Sequence, residues 1–364
     1  MAETLKLQTL KCPNCTRQIS KYSKFSTSVT CPSCGTVIKN PMVDSKDVPT
    51  PERIIPFASD ESTFENAMIN TLVNTDYVDK NVFSGINTDN VFRAYLPMYL
   101  YEGSYNAAWS CESSYKDQQV KISSNWTDSG KTISTKEVKK WRPQNGNAAG
   151  NFAFLCLANE GSEDLPDELR QFTYQFPYEV MCSRAFDGSL LSAEDENLIT
   201  IPMNADAGIV WQKHGKELVD KTAQEAALTQ IGNQEIRNFR ASSSFQLSTK
   251  GEYVLAPFWF VYYNYKNQRY HFLMDGLGKI TSGNYPIDEE DVAFTKSKEK
   301  VIKIVNWLWI LCLVICFADF VTGIVMFAIW FIAKFIVKKV MNKQIQAKLD
   351  QSRQYRQQAA SQIG

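Results

Sequence analysis

The chain opens on two copies of one local pattern, Cys12-Pro13-Asn14-Cys15 and Cys31-Pro32-Ser33-Cys34-Gly35. No other feature restricts the fold so tightly. A two-residue gap lets both sulfurs of one tight turn reach the same ion, and two such turns supply four sulfurs in a tetrahedron. Fifteen residues separate Cys15 from Cys31, inside the spacing of four-cysteine zinc sites. Cys12, Cys15, Cys31 and Cys34 are therefore the expected ligands of a structural Zn2+. Four thiolates close the coordination sphere and leave no position for water or substrate. A redox role for the C-x-x-C pairs would need a βαβ context, which is missing. A segment this short buries little core, so metal binding is expected to drive its folding, at about 10–16 kcal/mol for such sites. Gly35 suits the positive-φ position after the second knuckle. Thr16 stands at the equivalent place after the first.

The other cysteines follow no framework. Cys111, Cys156 and Cys182 are scattered, and Cys312 and Cys316 lie inside an apolar run. An odd total of nine does not describe a secreted disulfide scaffold. Met1 to Lys11 carries no apolar stretch of signal-peptide type, so a reducing compartment is expected. Lys plus Arg and Asp plus Glu are 39 each. That balance argues against a chain that coats nucleic acid and against a disordered polyelectrolyte. Only His214 and His271 are present, which excludes a three-histidine metal site within one chain. No nucleophile–base–acid set can be assembled, and the chain is expected not to be an enzyme. Gly130-Lys131-Thr132 imitates the end of a phosphate loop, but Asn125 stands where that loop needs Gly and the following residues are polar. A hairpin turn is the expectation there. Gly276-Leu277-Gly278 lacks the third Gly of a dinucleotide fingerprint.

From Val301 to Val337 the chain is almost wholly apolar. One straight helix over it would be about 55 Å long against a hydrocarbon core of about 30 Å. Asp319, Thr322 and Gly323 offer a polar midpoint, so the expectation is a two-helix membrane hairpin, Val301–Ala318 and Phe320–Val337. Lysines flank both ends, among them Lys296, Lys300, Lys338 and Lys343, which would place both termini in the cytoplasm. In the tail, Met341, Ile345 and Leu349 recur every four residues, a weak amphipathic stripe.

The middle repeats an order of elements. Arg53–Phe57 leads to a helix near Ser59–Leu72 and an aromatic strand at Ala94–Tyr101. Leu198–Met203 leads to a helix near Lys216–Asn238 and a strand at Val254–Tyr263. Each unit has a proline in an apolar strand, where the missing N–H is tolerated at an edge or start. Tyr105–Cys111, Val120–Ser123 and Asn151–Leu157 read as further strands. Tyr270–Met274, a turn at Asp275–Gly278 and Lys279-Ile280 read as a hairpin. Tyr262, Tyr263, Tyr265 and Tyr270 are expected to make cross-strand pairs rather than stack on single-stranded nucleic acid. The expected fold is α+β and multidomain: a zinc ribbon at 1–40, a linker at 41–52, two related α+β units at 53–195 and 196–292, the membrane hairpin at 300–338 and a polar cytoplasmic tail at 339–364.

Several of these blocks occur together in one known family. The four-cysteine ribbon is followed by Trp141-Arg142-Pro143-Gln144-Asn145-Gly146, Val254-Leu255-Ala256-Pro257-Phe258-Trp259, Tyr263-Asn264-Tyr265, Asp275-Gly276-Leu277-Gly278-Lys279 and Gly283-Asn284-Tyr285-Pro286. This order resembles a family of bacterial zinc-ribbon membrane proteins, labelled by their ribbon as transcription-factor-like or helicase-like. The chain departs from it in a shorter turn after Asp275 and in Ala256, where Leu is usual. The resemblance implies a membrane scaffold, since some members look like partners of phage-shock-type and flotillin-like (SPFH) membrane-stress proteins. It transfers only the four cysteines as site residues. The expected function is a membrane-anchored adaptor that recruits a cytoplasmic protein partner to the lipid bilayer, in envelope stress. The alternative is a membrane-tethered nucleic-acid binder using Lys6, Lys11, Arg17, Lys21, Lys24 and Lys39, since residues 1–40 are locally basic.

Overall fold

The computed structural model describes residues 4–22, 28–88, 91–127, 130–159, 165, 167–173, 183–191, 198–310 and 320–362. The fold is α+β. Five short strands come first: β1 (Thr4–Lys11), β2 (Gln18–Lys21), β3 (Ser28–Thr30), β4 (Val37–Lys39) and β5 (Asp44–Pro49). They form a three-stranded sheet in the order β2-β1-β5 and the separate pair β3-β4. β5 falls where the sequence reads as a linker. Its polar Asp44-Ser45-Lys46-Asp47 carries no strand pattern, and its pairing with β1, from Thr4 opposite Pro49 to Thr9 opposite Asp44, supplies the order instead.

The remaining strands join in one nine-stranded sheet. They are β6 (Arg53–Ile54), β7 (Asn87–Thr88), β8 (Phe92–Thr127), β9 (Gly130–Leu157), β10 (Arg184–Ala185), β11 (Leu198–Thr200), β12 (Ile236–Tyr265), β13 (Gln268–Asp275) and β14 (Thr281–Gly283). The helices are α1 (Glu61–Asn74), α2 (Val82–Gly85), α3 (Asp167–Thr173), α4 (Ala207–Val210), α5 (Lys216–Ile231), α6 (Glu289–Trp307) and α7 (Phe320–Ala360), with a π-helical turn over Trp211–Gly215. β8 and β9 form one hairpin that pairs Thr127 with Gly130, so the Gly130-Lys131-Thr132 decoy is a hairpin end as expected. The chain divides into two compact units. One holds Met1–Ser28, Lys39–Pro56 and Tyr95–Pro257; the other holds Val29–Ile38, Phe57–Ala94 and Phe258–Gly364.

In the first unit, β12 lies between β8 and β6, antiparallel to the former and parallel to the latter. α5 lays Ala227 and Ile231 on Trp109, Cys111 and Ala148 of the sheet. Helix α5 ends at Ile231, well before Asn238, because Gly232 takes φ +73° and ψ −155°, a conformation outside the helix that glycine reaches without a Cβ clash. Upstream, Trp211 lies against Phe154, Phe245 and Tyr101, with ring centroids 5.1–6.3 Å apart. The π-helical turn carries Trp211 over Gly215, where a Cβ would sit 2.3 Å from the indole. His214, on the same turn, is half-buried.

In the second unit, α1 packs Phe64, Met68 and Leu72 on Trp259, Tyr263 and Phe272 of β12 and β13. Asp60 caps α1 by accepting from the Thr63 N–H, the usual device for satisfying an orphan first-turn donor. Tyr263 stands opposite Tyr270 and stacks on it at 5.5 Å. Tyr262, Tyr263 and Tyr265 are all buried. Tyr263–Tyr270 is a cross-strand pair of the expected kind, while Tyr265 stands opposite Gln268. His271 is a sheet residue opposite Tyr262.

The two expected membrane spans do not hold. No helix among the described residues is long and apolar enough to cross a membrane. α6 begins at Glu289 and carries eight charged residues ahead of Ile304, and it ends at Trp307. α7 passes through the expected boundary at Val337 and continues to Ala360 across the polar tail. The multi-pass membrane placement with cytoplasmic termini is therefore corrected. Residues 311–319, with Cys312, Cys316 and Asp319, lie outside the described residues, as does Cys182. α6 and α7 pack on each other, and the Trp330 Nε1 donates to the Val305 carbonyl at 2.7 Å. Ile324, Phe327, Phe331, Phe335 and Ile336 of α7 are exposed.

The tail is an integral part of the second unit. Ile345, Leu349, Ser352 and Arg356 are buried, at a spacing of three to four that puts them on one helical face. The stripe beginning at Met341 was visible in sequence; its polar continuation was not. Ser352 Oγ donates to Asp291 at 2.6 Å. The Arg356 guanidinium donates to the carbonyls of Val73, Thr75 and Val78 at 2.7–3.2 Å.

Candidate metal centre

Each cysteine pair sits on a turn with the same hydrogen bonds. In the first, Cys12 donates its N–H to Arg17 and Thr16 donates to Cys12, both at 2.9 Å. In the second, Cys31 donates to Thr36 and Gly35 donates to Cys31, again at 2.9 Å. Both turns close on a left-handed residue, Thr16 at φ +61° and Gly35 at φ +72°. The first turn is the less favourable of the two. A β-branched residue holds a conformation that costs most L residues about 1–2 kcal/mol. Thr16 partly compensates by donating its hydroxyl to the Cys15 carbonyl at 2.7 Å.

The four Sγ atoms lie within 4.8 Å of one another. Sulfurs at the corners of a tetrahedron with about 2.3 Å metal–sulfur bonds stand about 3.8 Å apart, so the cluster needs little closure to hold an ion. Cys12 and Cys31 are buried, and Cys15 and Cys34 are half-buried. Cys34 also approaches the Thr36 hydroxyl at 3.2 Å, a polar contact of the kind that orients a metal thiolate. The donor set is all sulfur and closed, which can organise a fold but not activate a water. Among the described residues, no other group of His, Cys, Asp or Glu is grouped for a metal.

The second knuckle is held from outside. Arg269 of β13 donates to the Ser33 carbonyl, and its guanidinium lies 3.9 Å over the Tyr262 ring. Sequence reasoning missed this clamp, because Arg269 stands far along the chain in a polar hairpin. In the first unit, Tyr22 at the end of β2 sits 3.4 Å from the Tyr253 hydroxyl, and burial raises both phenol pKa values.

Two of the ribbon's basic residues are not free on its surface. Lys21 is buried, Lys6 faces Asp47 across the β1–β5 pair, and Lys24 lies outside the described residues. Of the other described cysteines, Cys111 and Cys156 are buried, and burial pushes the Cys156 thiol up to about 12, which suppresses its thiolate.

Comparison with protein-family models, with curated proteins and with solved structures finds no match.

Proposed function

We propose that this chain is a non-catalytic adaptor that binds one structural zinc ion through Cys12, Cys15, Cys31 and Cys34 and uses the ribbon so formed to recruit a protein partner. The observation that carries this reading is the closed four-thiol cluster on two matched knuckles. Sulfur ligands at this spacing favour zinc, and a site with no open position stabilises a surface rather than performing chemistry on a substrate. The clamp from Arg269 onto Ser33 supports the same reading, since it fixes the outer loop of the second knuckle. A presented loop that is already ordered loses less entropy when a partner binds. The envelope-stress partner that the family resemblance implies is one identity such a partner could have. The repeated element order is a further element of the proposal: Pro97 and Pro257 occupy facing strands, opposite Leu255 and Tyr95, which fits two related halves joined through β8 and β12.

The nucleic-acid reading gains nothing from the arrangement of the basic residues, because a buried Lys21 and an Asp-faced Lys6 contribute little to phosphate binding. The test is in-cell crosslinking with mass spectrometry, comparing wild type with Cys31→Ser/Cys34→Ser at matched protein levels. Specific protein neighbours lost in the variant are the expected result. An unchanged neighbour set would overturn recruitment through the ribbon.

A further inference from the structure

Within the second unit, α7 changes character along its length. Its later half is packed into the unit, with Ile345 and Leu349 buried. Its earlier half meets α6 on one side, where the Trp330 indole donates to the Val305 carbonyl. The other sides face outward: Ile324, Phe327, Ile329, Phe331, Ile332 and Phe335 are 41–60% exposed. On α6, Ile304 and Trp307 are 59% and 71% exposed. A helix that is apolar all round belongs in an interior, and α6 covers only part of this one.

Area and charge say what kind of occupant fits. Side chains of this size present about 200 Å² each, so these eight, about half exposed, leave about 900 Å² per chain. A stable dimer buries about 800 Å² on each partner. From Gly323 to Ala333 no residue is charged, and loss of charge at the centre marks a permanent, symmetric interface more than a transient polar one. α6 and α7 run antiparallel, since Ser352 meets Asp291 near the start of α6 and Trp330 meets Val305 near its end. Two antiparallel helices with apolar outer faces are half of a four-helix bundle. Lys296, Lys300, Lys303, Lys338 and Lys339 are exposed and flank this stretch on the side nearer the body of the unit, where a two-fold pairing leaves them in water.

We infer that a second copy of this chain covers this surface, with α6 and the earlier half of α7 pairing across a two-fold axis into a four-helix bundle. The contact is isologous, so each copy supplies the same apolar face. This inference goes beyond the adaptor reading and does not depend on it.

The test is sedimentation equilibrium of the full chain in detergent-free buffer. One species of twice the chain mass is the expected result, and added salt strengthens it, because salt screens the lysines and favours apolar contact. Ile332→Glu/Phe335→Glu weakens the dimer at least a hundredfold, since each carboxylate would be buried in an apolar contact. Both positions are exposed in the single chain, so circular dichroism stays that of wild type. Ile304→Glu on α6 acts in the same direction and carries the test if the double variant misfolds. Met42→Glu, at an apolar residue 94% exposed outside the hairpin, leaves the dimer intact. A monomer at every concentration, a broad range of masses, a dimer that survives both hairpin variants, or a dimer weakened by salt would overturn the inference. So would a monomeric chain that floats with phosphatidylcholine–phosphatidylglycerol vesicles, which would give the surface to lipid.

Discussion

Replacing Arg356 by Met is expected to melt the junction between the C-terminal helix and α1. Arg356 is 1% exposed and is the largest fully buried side chain described. Its guanidinium donates to Val73, Thr75 and Val78. Val73 and Thr75 sit at the end of α1, where the last carbonyls have no intrahelical donor. Arg356 therefore acts as a C-cap delivered from another helix, with its charge at the favourable end of the dipole. Burial lowers its pKa, with nearby Asp291 opposing that shift. Methionine fills comparable volume but donates nothing. Three buried carbonyls then lose their donor at about 1 kcal/mol or more each, so the loss is about 3 kcal/mol. Each 1.4 kcal/mol is tenfold in an opening equilibrium, so amide exchange over residues 70–79 should quicken about a hundredfold. Arg356→Lys, which can reach fewer carbonyls, should fall between. Hydrogen exchange read by mass spectrometry decides it. Protection of that segment within twofold of wild type in Arg356→Met would refute the reasoning.

Other expectations are as direct. Gly215→Ala puts a Cβ 2.3 Å from the Trp211 ring and should cost about 1–3 kcal/mol by overpacking, seen as a lower thermal midpoint; an unchanged midpoint would mean that the π-helical turn shifts freely. Thr16→Gly should relieve about 1 kcal/mol at φ +61° and tighten metal binding severalfold in competition with a chelator, whereas Gly35→Ala should weaken it. Asp60 is held at about 2, below its ordinary 3.8, by hydrogen bonds from Thr63 and Ser62. Its depressed value means that its contribution to α1 is present above about pH 4 and is lost as pH falls toward 2. Asp60→Asn, which caps without titrating, should flatten that limb of an acid titration followed by circular dichroism.

What could be read from sequence was local. The ribbon needs only spacing, and both knuckles form where the cysteines place them. The place of α1 was legible as a helix near Ser59–Leu72, although its Asp60 cap shows only in the structure. Strand segments were legible where side chains alternate, as at Tyr105–Cys111. Their union was not: β8 runs 36 residues, and its Lys116–Gln119 stretch has no apolar face of its own. β5 and the Lys266-Asn267 turn escaped for a related reason. β5 owes its order to β1, and the turn uses positive φ at two residues that are not glycine. The tail hid its role because its anchor is an arginine whose partners are backbone carbonyls. The apolar run misled because hydropathy marks composition and not helix ends; α6 starts in charged sequence and α7 continues into it.

The central claim is that four thiols from two knuckles close around one zinc ion. Elemental analysis of the purified full chain, with protein quantified by amino-acid analysis, tests it most directly. The account predicts about one zinc per chain in wild type and a near-zero value in Cys12→Ser/Cys31→Ser, while Cys111→Ser and Cys156→Ser keep the full amount. A wild-type chain without bound metal, or zinc retained after loss of Cys12 and Cys31, would contradict it.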